Sequence, residues 1–308
     1  MRIIFAGTPA TAVPSLHRLM KDHEVVAVLT RAPAPVGRKK VLTASPVHKT
    51  AEELGLPVLT PRSLRDPEIE EQLTQLAPEA IAVVAYGLLI PKNLLELPKH
   101  GWINLHYSLL PRWRGAAPVQ YAVAAGDEMT GTSVFQIEAG LDTGPVFDVE
   151  EVPVAGKTAG ELLEQLSDSG AQQLARVFNA LETGTAQAQP QEGDVTLAPQ
   201  LTTRDSYIDF SWNGAMIDSR IRGYTPEPGP WALFNGQRIK LGPVKVSDVT
   251  GIPAGTIVAG KKVLVGTATT AVELSTVTPA GKKTMEAAAW ARGLAADNMS
   301  FDLEGNQQ

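Results

Sequence analysis

Two side chains able to hydrogen-bond and to move a proton stand two residues apart in Trp102-Ile103-Asn104-Leu105-His106. An amide offers donors and an acceptor, and an imidazole titrates near neutral pH. In a strand, alternate side chains share a face, so Ile103 and Leu105 turn to the core while Asn104 and His106 point together the other way. The same alternation describes a strand that merely wets one face, and spacing alone does not choose between the two. The continuation, Ser108-Leu109-Leu110-Pro111-Arg112-Trp113-Arg114-Gly115-Ala116-Ala117-Pro118, favours a pocket wall. A Gly and two Pro around two Arg and a Trp make a turn too apolar and too constrained for a plain surface loop.

A carboxylate lies between glycines in Gly140-Leu141-Asp142-Thr143-Gly144, after the strand-like run Thr132 to Ile137. Asp is a common turn former because its carboxylate bonds local backbone. A turn and a site residue are both open readings, and nothing in the spacing brings Asp142 to His106. The 308 residues include no cysteine, which excludes disulfides, thiolate metal sites and a Cys nucleophile.

The elements that must position these residues follow from pattern. Apolar runs at Ile3 to Ala6, Val25 to Leu29 and Ile81 to Ala85 alternate with helical stretches at 9–20 and 45–54. Continuous apolar strands between helices predict a doubly wound, Rossmann-like α/β domain with a parallel sheet covered on both faces. After the first strand only Gly7-Thr8-Pro9 follows, without the G-x-G-x-x-G that lets backbone approach a pyrophosphate, which argues against a dinucleotide-dependent dehydrogenase. Leu162, Leu163, Leu166, Leu174, Val177, Phe178 and Leu181 recur at helical spacing, which predicts one long helix over 158–183 with Gly170 as a local weakness. The Gly, Ala, Gln and Pro content of 183–200 reads as linker. Beyond it come short β-prone segments, with Asn235-Gly236 as a hairpin turn, which predict a small OB-like β-barrel. The expected division is 1–188 for the first domain, 189–205 for a linker and 206–308 for the barrel.

Net charge is −6, which by itself argues against nucleic acid, because phosphate binding needs Lys and Arg. The distribution reverses this for one segment: residues 211–293 hold ten Lys and Arg against five Asp and Glu. No run of about eighteen apolar residues and no signal-like N-terminus is present, so a cytoplasmic monomer is expected.

Together these segments resemble the formyltetrahydrofolate-dependent formyltransferases, over nearly the whole chain. The resemblance runs through Phe5-Ala6-Gly7-Thr8-Pro9, Ser45-Pro46-Val47, Val84-Ala85-Tyr86-Gly87-Leu88-Leu89-Ile90-Pro91, the block from Asn104 to Pro118, Leu141-Asp142-Thr143-Gly144 and Pro279-Ala280-Gly281-Lys282-Lys283. It implies Asn104, His106 and Asp142 as a catalytic trio, with no metal. Asn104 and His106 would donate to the oxyanion formed when an amine attacks a formyl carbon, and Asp142 would orient His106 and tune it. It further implies 10-formyltetrahydrofolate as co-substrate, lined by Tyr86, Gly87 and Leu88 and by Ser108, Leu109, Leu110 and Pro111.

Family members differ in acceptor, which the trio does not decide. Arg31, Arg38, Lys39, Lys40 and Lys49 occupy 31–49 without an acid, and Pro33, Pro35 and Gly37 predict an irregular, flexible loop there. In the members that act on initiator methionyl-tRNA, such a loop enters the acceptor stem, with Arg38 in the place of their wedge arginine. Arg220, Arg222, Lys240, Lys245, Lys261, Lys262, Lys282 and Lys283 form a second candidate RNA contact on the barrel. These features favour methionyl-tRNA over an amino sugar nucleotide and over a non-catalytic tRNA-binding relative. Three places depart from the family pattern: Gly37-Arg38-Lys39-Lys40, which lacks a residue the family often has between Arg and Lys; Tyr107, which must point away from the pocket or narrow it; and Tyr224-Thr225-Pro226-Glu227-Pro228.

Overall fold

The computed structural model describes residues 1–37, 39–295 and 299–303. Contacts divide the chain into two compact units. The first holds Met1–Pro118, Met129–Pro153 and Leu163–Pro199. The second holds Val119–Glu128, Val154–Leu162 and the chain from Gln200 onward.

The first stretch of the chain builds β1 (Arg2–Gly7), α1 (Val13–Leu19), β2 (Glu24–Leu29), a hairpin of β3 (Ala34–Val36) and β4 (Val41–Thr43), α2 (Pro46–Glu53) and β5 (Val58–Leu59). It continues through α3 (Pro67–Leu76), β6 (Ala80–Val84), α4 (Lys92–Leu95) and β7 (Trp102–His106), then β8 (Arg114–Gly115) and α5 (Pro118–Ala125). Next come β9 (Met129–Gln136), β10 (Val146–Pro153), α6 (Ala159–Thr183) and β11 (Leu197–Ala198). Local chemistry starts the helices: Ser45 caps α2 and Asp66 caps α3, each followed at once by a proline whose missing N–H costs nothing in a first turn.

One seven-stranded sheet runs β10-β9-β7-β6-β1-β2-β5. From β5 to β7 the strands are parallel, whereas β9 is antiparallel to β7 and β10 to β9. The sheet is therefore parallel over most of its width, as expected, and antiparallel at one edge. For the β9–β10 pair the cause is local: the loop 137–145 is too short for the helical crossover that parallel neighbours require. One face buries Ile4, Ala6, Ala27, Leu29, Ile81, Val83 and Trp102 against Leu64, Ile69 and Leu73. By strand alternation Asn104 and His106 continue the Trp102 row, while Leu105 turns to the opposite face. There its methyls meet Gly170 of α6, where an added Cβ would stand 2.9 Å from Leu105 Cδ2. Gly170 is thus where the helix comes close to the strand that carries Asn104 and His106.

The expected irregular loop at 31–49 is instead the β3–β4 hairpin followed by α2. Pro35 pairs with Leu42 in a ribbon of only two strands, where a residue without an N–H is tolerated at an open edge. Val36, Val41 and Leu42 are exposed on this hairpin.

The second unit contains α7 (Gly214–Gly223), β12 (Trp231–Phe234), β13 (Gln237–Leu241), β14 (Val244–Val246), β15 (Ile257–Val258), β16 (Val263–Val265), β17 (Val272–Leu274), β18 (Thr276–Pro279), β19 (Met285–Glu286) and α8 (Ala287–Ala291). Two four-stranded sheets, β12-β13-β18-β19 and β14-β17-β16-β15, enclose one core that includes Phe210, Ile217, Ile239, Val265, Val277 and Phe301. The Asn235-Gly236 turn joins β12 to β13, with φ of 50° and 70° at its two residues, as a two-residue hairpin demands. The chain switches sheets twice at one corner, at Gly242-Pro243 and at Ser275, where Gly242 N–H donates to Thr276 O at 2.8 Å. A Cβ on Gly242 would lie 2.0 Å from Thr276 Oγ1, so a side chain at this corner would have to displace the Thr276 hydroxyl. No helix among the described residues is long and apolar enough to cross a membrane.

Candidate active site

Strand β7 ends at the carboxyl edge of the sheet, beside the loops that follow β1 and β6. The chain turns from one half of the sheet to the other between those two strands, the place where open α/β sheets form a crevice. Thr8 Oγ1, past the end of β1, donates to Tyr86 O at 2.8 Å and joins the two loops.

His106 is buried, 6% exposed, with Phe135 set edge-on at a ring distance of 6.2 Å. Its Nε2 lies 3.0 Å from Trp113 O. A carbonyl can only accept, so Nε2 carries the hydrogen and Nδ1 is left as the nitrogen that gains or loses a proton. Asp142 Oδ2 stands 3.9 Å from that Nδ1, beyond a hydrogen bond but within ion-pair reach. Burial pulls the imidazole below its ordinary pKa, opposed first by the Asp142 charge and then by the Trp113 carbonyl. Asn104 is half-buried, and its amide makes no hydrogen bond among the described residues. The structure thus brings the three expected residues to one end of one strand, with a neutral base, a free amide and a carboxylate.

Asp142 reaches this place by an indirect path. The loop 137–145 leaves the sheet beside Trp102, whose carbonyl accepts from Ile137 N–H at 2.8 Å. It then runs back along β7 until Asp142 faces His106. There Asp142 Oδ2 accepts from Gly115 N–H at 2.8 Å. Asp142 and Trp113 both adopt left-handed backbone, with φ of 50° and 61°, so both groups that face His106 come from strained positions. The sequence reading missed three residues that hold them: Gly115, Gln191 and Thr196. A Gln inside a Gln- and Pro-rich run carries no local signal of such a role.

Of the remaining expected residues, Ser108 is fully buried, with its Oγ donating to Arg112 O at 2.6 Å and its carbonyl accepting from Ser133 Oγ at 2.7 Å. Leu109 and Leu110 are half-buried and Pro111 is buried. Tyr86 turns its ring into the core, where burial pushes the phenol well above its ordinary value, and its hydroxyl has no partner among the described residues. Gly87 is exposed at φ 83°, and its carbonyl accepts from Arg31 Nη1 at 2.8 Å. Leu88 packs at the core's edge, so in this loop the exposed backbone rather than Tyr86 faces the crevice. Tyr107 points away from Asn104 and His106, because its parity in the chain is that of Leu105, and its hydroxyl donates to Thr11 O at 3.0 Å. Lys39, Lys40, Lys282 and Lys283 are exposed, and Arg38 lies outside the described residues.

Comparison with known proteins decides the family. A formyl transferase family model matches residues 1–178, and its C-terminal domain model matches 200–295. The chain belongs to the formyl transferase family. Among curated members, it is 54% identical to the methionyl-tRNA formyltransferase of Arthrobacter sp. (strain FB24), over 95% of this chain and 97% of the relative. It is 52% identical to that of Salinispora arenicola, over 96% and 97%. Among solved structures, the methionyl-tRNA formyltransferase from Clostridium thermocellum aligns with a TM-score of 0.58 at 18% identity, over 89% of this chain and 98% of that one. The sugar 3N-formyl transferase WlaRD aligns at 0.68 and 16%, over 92% and 99%. At such identities the solved structures share the formyl transferase fold and nothing finer.

Proposed function

We propose that this chain transfers a formyl group from 10-formyltetrahydrofolate to the amino group of initiator methionyl-tRNA, giving N-formylmethionyl-tRNA. The observation that carries the reading is the grouping of Asn104, His106 and Asp142 at the end of β7, in a chain about half identical over nearly its whole length to curated methionyl-tRNA formyltransferases. The exposed backbone of the loop after β6, turned outward by Ala85 at φ 48° and Gly87 at φ 83°, suits a heterocycle edge that carries its own donors and acceptors. Leu109, Leu110 and Pro111 would supply the apolar side. When bound, the carrier supplies an activated formyl group.

The chain's own groups then have defined tasks. The acceptor amine adds to the formyl carbon, and negative charge builds on the formyl oxygen. The Asn104 amide, unspent in the chain, donates to that oxygen, whereas neutral His106, whose one N–H is spent on the Trp113 carbonyl, is a base here rather than the second donor expected from sequence. Nδ1 of neutral His106 takes the proton that the amine must lose, and Asp142 stabilises the imidazolium so formed; as the oxyanion collapses and the bond from the formyl carbon to the carrier nitrogen breaks, that proton passes to the departing nitrogen, which leaves as tetrahydrofolate. Lys39 and Lys40 on the hairpin, Arg38 beside them in the sequence, and Lys282 and Lys283 in the second unit would meet phosphates of the acceptor. The test is incubation with formylated folate and charged initiator tRNA, followed by mass analysis of the released amino acid. Formylmethionine is the expected product. Its absence, with transfer to an amino sugar nucleotide in a parallel reaction, would replace the acceptor named here.

A further inference from the structure

The segment 189–198 has the composition of a linker, yet it is laid across the candidate site as a strap. Its first contact is a two-way backbone pairing of Gln189 with Val146, at 2.7 and 2.8 Å. Next, Gln191 spends its whole amide. Nε2 donates to Asp142 O and to Gly144 O, both at 2.8 Å, and Oε1 accepts from Arg114 Nε at 3.1 Å and Arg114 Nη2 at 2.6 Å. Two carbonyl acceptors on one side and a guanidinium on the other leave the amide one orientation only. Thr196 then takes the other contact of His106 in hand: its Oγ1 accepts from Trp113 N–H at 2.8 Å. Finally Leu197–Ala198 pairs with Arg114–Gly115, the same Gly115 whose N–H meets the Asp142 carboxylate.

Both backbone positions that face His106 are left-handed in residues other than glycine, a conformation that persists only where the surroundings over-determine it. We infer that Gln191 is a positioning residue for formyl transfer, fixing the Asp142 turn against β8 so that the carboxylate faces His106. Gln191 touches neither reacting atom nor either catalytic nitrogen. The inference rests on the proposed reaction for its kinetic readout but not for its spectroscopic one.

Two variants separate the halves of the amide. Gln191→Met removes every polar contact at similar length. Gln191→Glu keeps a partner for Arg114 and loses only the donation to Asp142 O and Gly144 O. With the full chain, kcat and KM for tRNA and formyl donor would be measured, together with the imidazole titration of His106 by NMR. In both variants kcat is expected to fall about tenfold to a hundredfold, with each KM near that of the parent, as for a lost alignment rather than lost binding. In Gln191→Met the His106 titration should move to lower pH, since the Asp142 charge is what opposes burial there. A parental kcat in folded Gln191→Glu overturns the inference, and so does an unmoved His106 titration in Gln191→Met. If the parent itself transfers no formyl group the reaction is wrong, and the titration still decides the role of Gln191.

Discussion

Burial works against the charged form of His106, while the Asp142 carboxylate and the Trp113 carbonyl work for it, and the net direction is down. The imidazole is therefore neutral at neutral pH and ready to accept a proton, and activity should fall as pH drops through this depressed pKa. Asp142→Asn keeps an acceptor for Gly115 N–H but removes the charge that raises the imidazole. Its acid limb in a kcat profile is expected at lower pH than the parent's, with a lower plateau because the imidazolium loses its counter-charge. A limb that stays in place would show that Asp142 does not act on His106. Asn104→Ala tests the free amide. Removing one oxyanion donor costs about 3–4 kcal/mol of transition-state stabilisation, so kcat should fall about a hundredfold to a thousandfold. Because this amide holds nothing else among the described residues, Tm should move by no more than about 3 °C. A large loss of Tm would mean the amide is structural. That Asn104 and His106 share one face of β7 is legible from alternation alone, since it depends only on strand geometry, while their role as a site is not. The nearness of Asp142 is not, because it depends on a loop that doubles back from the other end of β7.

Elements show the same division between what is local and what is not. The hydrophobic runs of β1, β2, β6 and β7, the long α6 and the Asn235-Gly236 hairpin follow from period and turn chemistry, and sequence suffices to find them. Three features escape it. Prolines in 31–49 read as irregularity although a two-stranded ribbon accommodates Pro35. The run Thr132 to Ile137 reads as a strand but carries no direction, and its antiparallel place beside β7 and β10 appears only in the fold. The strap 189–198 reads as linker because its partners lie 43 to 83 residues away in the chain, from the Val146–Gln189 pairing at 43 to the Trp113–Thr196 pair at 83. Gly115, on β8, tests how firmly that strap is anchored. Its φ of 127° strains any L side chain, and a Cβ would stand 2.6 Å from Ala198 O. Gly115→Ala should lower unfolding free energy by about 1–3 kcal/mol in urea titration. It should also lower kcat, since the N–H that holds Asp142 moves with the strand. A variant as stable and as active as the parent would show that β8–β11 pairing is dispensable.

Over the whole molecule the charge is −6, and binding a polyanion depends on where the exceptions sit. Not all eight cations singled out in the second unit are available. Lys262 Nζ is paired with Glu273 at 2.7 Å, Arg222 with Asp218 at 2.8 Å, and the Arg220 guanidinium lies 4.5 Å over the Trp212 ring. Lys240, Lys245, Lys261, Lys282 and Lys283 are exposed and make no ion pair among the described residues. Each neutralised phosphate releases counterions, so a cation that touches RNA steepens the dependence of affinity on salt by nearly one in a log–log plot. Lys282→Ala combined with Lys283→Ala should therefore weaken use of methionyl-tRNA and flatten that slope by about two, with kcat at saturating tRNA held. Lys262→Ala, which gives up an ion pair with Glu273 rather than a free charge, should leave the slope where it was. The measurement is KM for tRNA across a salt series for the parent and the two variants. A double variant with the parental slope would move the phosphate contacts to other lysines, while a flattened slope in Lys262→Ala would show that the pair with Glu273 opens when tRNA binds.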